Sequence, residues 1–256
     1  YTTPRKTVFG SKGVFRALNG ISFDIKRGER LGLVGESGCG KSTLTRAIMG
    51  LEGVQGGEIT LDGAPVFTGQ KPNLAVRRKM QVVFQDPFGS FNPRQKVVRL
   101  ITEPFHLLET PPTHEERQRL INQTLTAVGL DPSDADKYIH QFSGGQRQRI
   151  AIARALIIQP DLIVFDEAVS ALDVSVRAQI LDLLADLSAK YNLTYLFISH
   201  DLNVVRTITD RVLVMQHGEI VEQGETEQVF TAPNHPYTQE LIAAAPVLPD
   251  LQQMKG

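Results

Sequence analysis

Eight consecutive residues, Gly35-Glu36-Ser37-Gly38-Cys39-Gly40-Lys41-Ser42, put three glycines, a lysine and a hydroxyl at the spacing G-x-x-x-x-G-K-[ST]. They follow the apolar run Leu31-Gly32-Leu33-Val34 and precede a helical stretch that begins at Thr43. Glycines let the backbone curl so that successive N–H groups point at phosphate oxygens, and the helix start behind adds a partial positive charge. The pattern reads as a cradle made of Gly35, Glu36, Ser37, Gly38, Cys39, Gly40, Lys41, Ser42 and Thr43. Lys41 would reach the β and γ phosphates of a nucleotide, and the Ser42 hydroxyl would bind Mg²⁺.

A second apolar run, Leu162-Ile163-Val164-Phe165, ends in Asp166 and Glu167. Ligands of doubly wound sheets lie off the carboxyl ends of the strands. Asp166 is therefore expected beside the Mg²⁺ through water, and Glu167 as the general base that polarises an attacking water. A third run, Tyr195-Leu196-Phe197-Ile198, ends in Ser199-His200-Asp201, which places His200 to contact a γ-phosphate or that water. A fourth, Gln81-Val82-Val83-Phe84, ends in Gln85, a candidate ligand of Mg²⁺ or water. Alone, a strand-end His or Gln is unremarkable. Three apolar strands each ending in a group suited to phosphate chemistry are hard to explain as packing.

These groups need elements that aim them. Short, almost wholly apolar strands are expected where a sheet is buried on both faces. Further strands are predicted over 21–25 and 57–61, and a hairpin over 211–221 around His217-Gly218. Val176, Ile180, Leu183, Leu184 and Leu187 recur at helical spacing after an Asp173 start signal. Residues 86–160 carry no convincing strand and read as a helical insert, with a helix predicted over 149–158 after a Gly turn. Strands alternating with helices make the fold class α/β, with a mainly parallel sheet.

Composition narrows the function classes. The chain has 256 residues, 27 Lys and Arg against 28 Asp and Glu, and 41% hydrophobic residues, all ordinary for a globular protein. A net charge of −1 argues against a strongly basic nucleic-acid binder. The single cysteine, Cys39, excludes an internal disulfide and an all-cysteine metal site within the chain. No run reaches the roughly 18 apolar residues of a membrane span.

Phe142-Ser143-Gly144-Gly145-Gln146-Arg147-Gln148-Arg149 closely resembles the signature motif of ATP-binding cassette (ABC) ATPases, and the resemblance covers nearly the whole chain. Residues 35–42 resemble the family's Walker A motif, Gln85 its Q-loop, and residues 162–167 its Walker B motif. Ser170-Ala171-Leu172-Asp173 resembles its D-loop, and His200 its switch histidine. The resemblance implies the cofactors ATP and Mg²⁺ and a P-loop core with an antiparallel β lobe and a helical subdomain. It implies that Ser143, Gly144, Gly145 and Gln146 contact nucleotide held by a second ABC ATPase domain. It also implies an aromatic stacked on adenine, for which Phe15 and Phe9 are candidates. Phe142 stands where the family usually has Leu, and Ala168 where Pro commonly follows the catalytic Glu.

Gln85-Asp86-Pro87, Ser90-Phe91-Asn92-Pro93-Arg94 and the tail His235-Pro236-Tyr237-Thr238 look like the oligopeptide/dipeptide/nickel importer branch. That branch implies transmembrane permease subunits, an extracellular solute-binding protein acting indirectly, and a peripheral position on the cytoplasmic face of the inner membrane. The expected organisation is one ABC ATPase domain. Residues 1–85 and 161–235 form its core and β subdomain, 86–160 a helical signature subdomain and 236–256 a tail. A first residue that is not Met, and the family's usual strand before residue 1, suggest an excised domain or half of a tandem protein. The alternative function is a soluble ABC-type ATPase acting on nucleic acid or ribosomes, which predicts coiled-coil arms or a basic linker between cassettes.

Overall fold

A computed structural model describes residues 16–86, 89 and 91–245. Its centre is a six-stranded sheet in the order β10-β9-β1-β8-β7-β6. The strands are β1 (Arg30–Val34), β6 (Met80–Phe84), β7 (Leu162–Asp166), β8 (Tyr195–Ser199), β9 (Arg211–Gln216) and β10 (Glu219–Glu225). All neighbours pair in parallel except β9 and β10, which form an antiparallel hairpin at the edge through His217 and Gly218, both at positive φ. Two short antiparallel pairs stand apart: β2 (Thr60–Leu61) with β3 (Ala64–Pro65), and β4 (Phe67–Thr68) with β5 (Lys71–Pro72).

The two-residue repeat of a strand sorts the buried side chains into two cores. Leu31, Leu33, Val164, Leu196, Ile198, Leu213 and Met215 face α1 (Lys41–Ile48), packing on its Leu44 and Ile48. Ile163, Phe165, Tyr195, Phe197, Val212 and Val214 belong to the other core, under α6 (Val174–Tyr191) and α7 (Leu202–Ile208). Both faces are covered, which is why these strands read as apolar runs and not as alternations.

The predicted insert is helical, with α3 (Val97–Ile101), α4 (His114–Ala127) and α5 (Gly144–Leu156) joined by 3₁₀ turns. It contributes Phe91, Val97, Ile121, Leu125 and Ile150 to the second core. Helix α5 begins at Gly144, five residues ahead of the predicted 149, because Ser143 and Gln146 cap it. The expected strand over 21–25 is not formed. Ile21, Phe23 and Ile25 do pack against the first core, but no strand among the described residues pairs with them, and a ladder needs a partner. The strand expected over 57–61 is confined to Thr60–Leu61. The chain closes with α8 (Thr226–Thr231) and α9 (Pro236–Ala243), and Tyr237 of α9 is part of the second core.

Candidate active site

Register brings the polar strand ends together. Val34 lies opposite Ser199, Ile198 opposite Asp166, and Asp166 opposite Phe84. Gly35, His200, Glu167 and Gln85 thus leave adjacent strands along one edge of the sheet. Gln85 is exposed at that edge, level with Glu167.

The phosphate loop has a backbone only glycine permits at two points. Gly35 has a φ of 155°, and a Cβ there would lie 2.2 Å from the Met215 carbonyl oxygen. Gly40 has a φ of 116°, and its Cβ would lie 2.5 Å from the Ala17 carbonyl oxygen. As N-cap of α1, Gly40 offers no side-chain acceptor, and the first turn holds no acidic residue. The opening N–H groups of a helix have no acceptor within it. Here no N-cap side chain takes them. Lys41 is only 5% exposed, and its Nζ donates to the Gly35 and Glu36 carbonyls at 2.6 and 2.9 Å. An uncapped helix start, a loop with no room for a Cβ at Gly35 or Gly40 and a buried ammonium fit a polyphosphate.

The donor set for a divalent ion fits as well. Ser42 presents its hydroxyl in the exposed first turn of α1, and Asp166 ends β7 half-buried. Hard oxygens of this kind suit Mg²⁺, which takes one or two protein ligands and completes its shell with phosphate and water. Burial pushes the Asp166 carboxyl above its ordinary value, and the Glu167 charge adds to that. A hydrogen bond from Thr45 and the charges of Lys41 and Arg46 pull the other way. A dication at this place would relieve the cost of ionising it.

Glu167 sits at φ 52°, a left-handed backbone in a residue with a side chain. Its N–H bonds the Ile198 carbonyl at 2.9 Å, tying it to β8. The turn behind it is closed by Ser170, whose N–H and Oγ both donate to the Glu167 carbonyl, at 3.1 and 2.8 Å. Ala168 is buried here, and those two bonds hold the turn. The result aims the carboxylate at its neighbour: Glu167 Oε2 is 3.4 Å from His200 Nδ1, with His200 about half exposed. A carboxylate beside an imidazole at the end of a sheet can take a proton from water and keep that water oriented.

Groups behind these were not singled out from sequence. Thr45, fully buried, reaches Asp166 from α1; its position four residues after Lys41 was the available signal. Arg177 on α6 donates to Asp201 Oδ2 at 2.8 Å and to the Leu172 carbonyl at 3.2 Å, so one guanidinium joins the 170–173 turn to the residue after His200. Asp201 also caps α7.

Ser143, Gly144, Gly145 and Gln146 belong to α5, in the helical insert. Ser143 N–H donates to Gln146 Oε1 at 3.0 Å and Gln146 N–H to Ser143 Oγ at 3.4 Å, a reciprocal capping box. Gly144 faces open space, whereas a Cβ on Gly145 would lie 2.4 Å from Val176 Cγ1, so α5 starts hard against the start of α6. Phe15 and Phe9, the adenine candidates, lie outside the described residues.

Comparison with known proteins agrees with this arrangement. The family described as ABC transporter matches residues 18–170, and that described as oligopeptide/dipeptide transporter, C-terminal region, matches residues 221–256. The dipeptide transport ATP-binding protein DppF of Escherichia coli (strain K12) is 48% identical over 245 residues, 95% of this chain and 73% of that protein. The oligopeptide transport ATP-binding protein AppF of Bacillus subtilis (strain 168) is 48% identical over 250 residues, 96% of this chain and 76% of that one. Among solved structures, cbiO1 from Clostridium perfringens, part of the ABC transporter complex cbiONQ, superposes with a TM-score of 0.76 at 28% identity, covering 90% of this chain and 88% of that one. The cassette MJ0796, as a dimeric post-hydrolysis state bound to ADP and Pi, superposes with a TM-score of 0.72 at 28% identity, covering 88% of this chain and 96% of that one.

Proposed function

This chain belongs to the ABC transporter family of ATP-binding cassettes, and on that premise we propose that it hydrolyses ATP to power import of peptides or related small solutes through a membrane permease. The observation that carries the chemistry is the Glu167–His200 contact beside Asp166, set at the strand ends that also carry the phosphate loop. Peptides are favoured as cargo by the C-terminal family match and by the names of the relatives. Nothing in the site favours the nucleic-acid reading.

The residues act as follows. The loop N–H groups and Lys41 bind and orient the phosphates, and their charge favours the transition state more as negative charge moves onto the leaving oxygen. Ser42, with Asp166 through water, would hold Mg²⁺, which when bound would supply neutralisation of phosphate charge. Glu167 takes the proton from the attacking water, His200 holds the carboxylate and the γ-phosphate side of the site, and Gln85 reaches the same water or ion from the next strand. Ser143 to Gln146 meet the nucleotide of a second cassette, identical, paralogous or in the same polypeptide. We divide the chain into a core and β subdomain (1–85 and 161–235), a helical signature subdomain (86–160) and a tail (236–256). Among the described residues no helix is long and apolar enough to cross a membrane. On the names of its relatives we propose a peripheral partner of permease subunits on the cytoplasmic face of the inner membrane, fed by an external binding protein.

The test is uptake by vesicles that carry the chain with its permease subunits. Labelled di- and oligopeptides offered with the binding protein should enter only with internal Mg-ATP, and not with Lys41→Ala. Entry of other solutes but no peptide would overturn the cargo assignment. Uptake that survives Lys41→Ala would overturn the energy source.

A further inference from the structure

The string His235-Pro236-Tyr237-Thr238 has no part in the chemistry described so far, yet it is firmly built in. Glu222 of β10 accepts the Asn234 and His235 N–H groups at 2.8 and 3.0 Å. His235 Nδ1 accepts the Tyr237 N–H at 3.2 Å and caps α9, which opens on Pro236. Tyr237 is 6% exposed, and its ring is part of the core beneath the sheet. Its hydroxyl leaves that core and accepts the Glu36 N–H at 3.0 Å, a contact between residues 201 positions apart.

That N–H belongs to the peptide joining Gly35 to Glu36. The other end of the same peptide is the Gly35 carbonyl, which accepts the Lys41 ammonium at 2.6 Å. Two side chains thus grip opposite poles of one peptide group, and hydrogen bonds at both ends of an amide polarise and strengthen each other. A rotation of that peptide would break both. Its neighbours cannot compensate, since Gly35 is held against the Met215 carbonyl with no room for a Cβ. Burial raises the Tyr237 phenol above its ordinary value, so the hydroxyl stays neutral through the physiological range.

We infer that Tyr237 is a positioning residue for nucleotide binding: its hydroxyl fixes the plane of the peptide joining Gly35 to Glu36 and thereby sets where Lys41 waits for phosphate. The inference rests on the reading of residues 35–43 as a nucleotide cradle. Through it, the C-terminal segment becomes part of the cradle although it touches no phosphate.

Tyr237→Phe keeps the ring in the core and removes only the acceptor. In the full chain, Kd for a fluorescent ATP analogue and KM for ATP should rise about 3- to 10-fold, the size of one lost hydrogen bond. The kcat should change by less than about 2-fold, since the chemical step is untouched. Amide hydrogen exchange at Glu36 should speed up, and the melting temperature should hardly move. Leu241→Ala, which loosens α9 where Leu241 packs on the same core, is the control. It should lower the melting temperature and leave Kd unchanged. Wild-type Kd in Tyr237→Phe, or an equal rise in Leu241→Ala, would overturn the inference, the second by showing that α9 acts through packing alone. A wild-type chain that binds no nucleotide would overturn the cradle reading first and this inference with it.

Discussion

The helix that follows the phosphate loop and the helix that opens at Gly144 both present first-turn N–H groups, but their own sequences treat those groups in opposite ways. At α1 the N-cap is Gly40, with no side-chain acceptor, and Lys41 is folded back onto loop carbonyls. At α5 the Ser143 hydroxyl accepts the Gln146 N–H, and the Gln146 side chain accepts the N–H of Ser143 itself. The first end is held open by backbone that only glycine adopts freely and by the strands behind it. The second carries a local capping box. A helix end kept uncapped is ready for an anion on its own. One that caps itself must exchange that cap for a ligand, and does so only when a second surface brings one. The difference supports the proposal that the 35–43 side binds nucleotide first and the 143–146 side makes a conditional, partner-dependent contact.

The strongest way to separate the two sides is to stop the chemistry without touching either. Glu167→Gln should lower phosphate release by about 10²- to 10⁴-fold, the usual worth of a general base, while Mg-ATP still binds. The trapped state should then accumulate as a dimer that forms with ATP and falls apart without it, followed by light scattering during gel filtration. Adding Ser143→Arg should abolish that dimer and leave nucleotide affinity near that of Glu167→Gln alone. Loss of both together would mean that residues 143–146 serve the chain's own nucleotide and that the comparison is wrong.

Lys41→Ala comes next in size. A charge-assisted contact to phosphate contributes about 1.5–3 kcal/mol, so nucleotide affinity should fall by roughly 10- to 100-fold. Ser143→Ala should do the reverse. It removes a helix cap and should cost about 1 kcal/mol of stability while single-chain nucleotide affinity holds. Equilibrium urea unfolding and nucleotide titration on the same samples would compare the two. If Ser143→Ala weakens ATP binding as much as Lys41→Ala does, the two helix ends are not functionally distinct.

The sequence made the first side far easier to read than the second. Strands β1, β7 and β8 are buried on both faces, so their apolar runs and polar ends stand out residue by residue. The start of α5 was missed because periodicity reads Gly144 and Gly145 as a turn, although Ser143-x-x-Gln146 is itself a capping-box signal. The strand expected over 21–25 failed for another reason: alternation places side chains on a face but cannot supply the neighbouring strand. The contacts of Arg177 and Tyr237 could not be read because what each touches lies away from it in the chain, as with Tyr237 and Glu36, 201 residues apart.

The smallest effect expected is also the one that tests whether the phosphate side is strained for function. Burial, with the Glu167 charge behind it, raises the Asp166 carboxyl above its ordinary value. A raised carboxyl means that the folded chain holds that proton more tightly than the unfolded chain does. Stability therefore falls as pH rises from the ordinary carboxylate range through the raised value, and above it the cost is present in full. Asp166→Asn removes the charge and nearly keeps the shape, so without nucleotide it should melt higher than wild type at neutral pH. The gain should shrink as the pH is lowered into the acid range, where wild-type Asp166 is itself protonated. With Mg-ATP the order should reverse, because wild type gains the stabilisation of bound ligand and the variant loses part of it. A gain that does not vary with pH would place its origin in packing. No gain at all would mean that water or a neighbouring cation already relieves Asp166, and that this end of the sheet is no more strained than the capped start of α5.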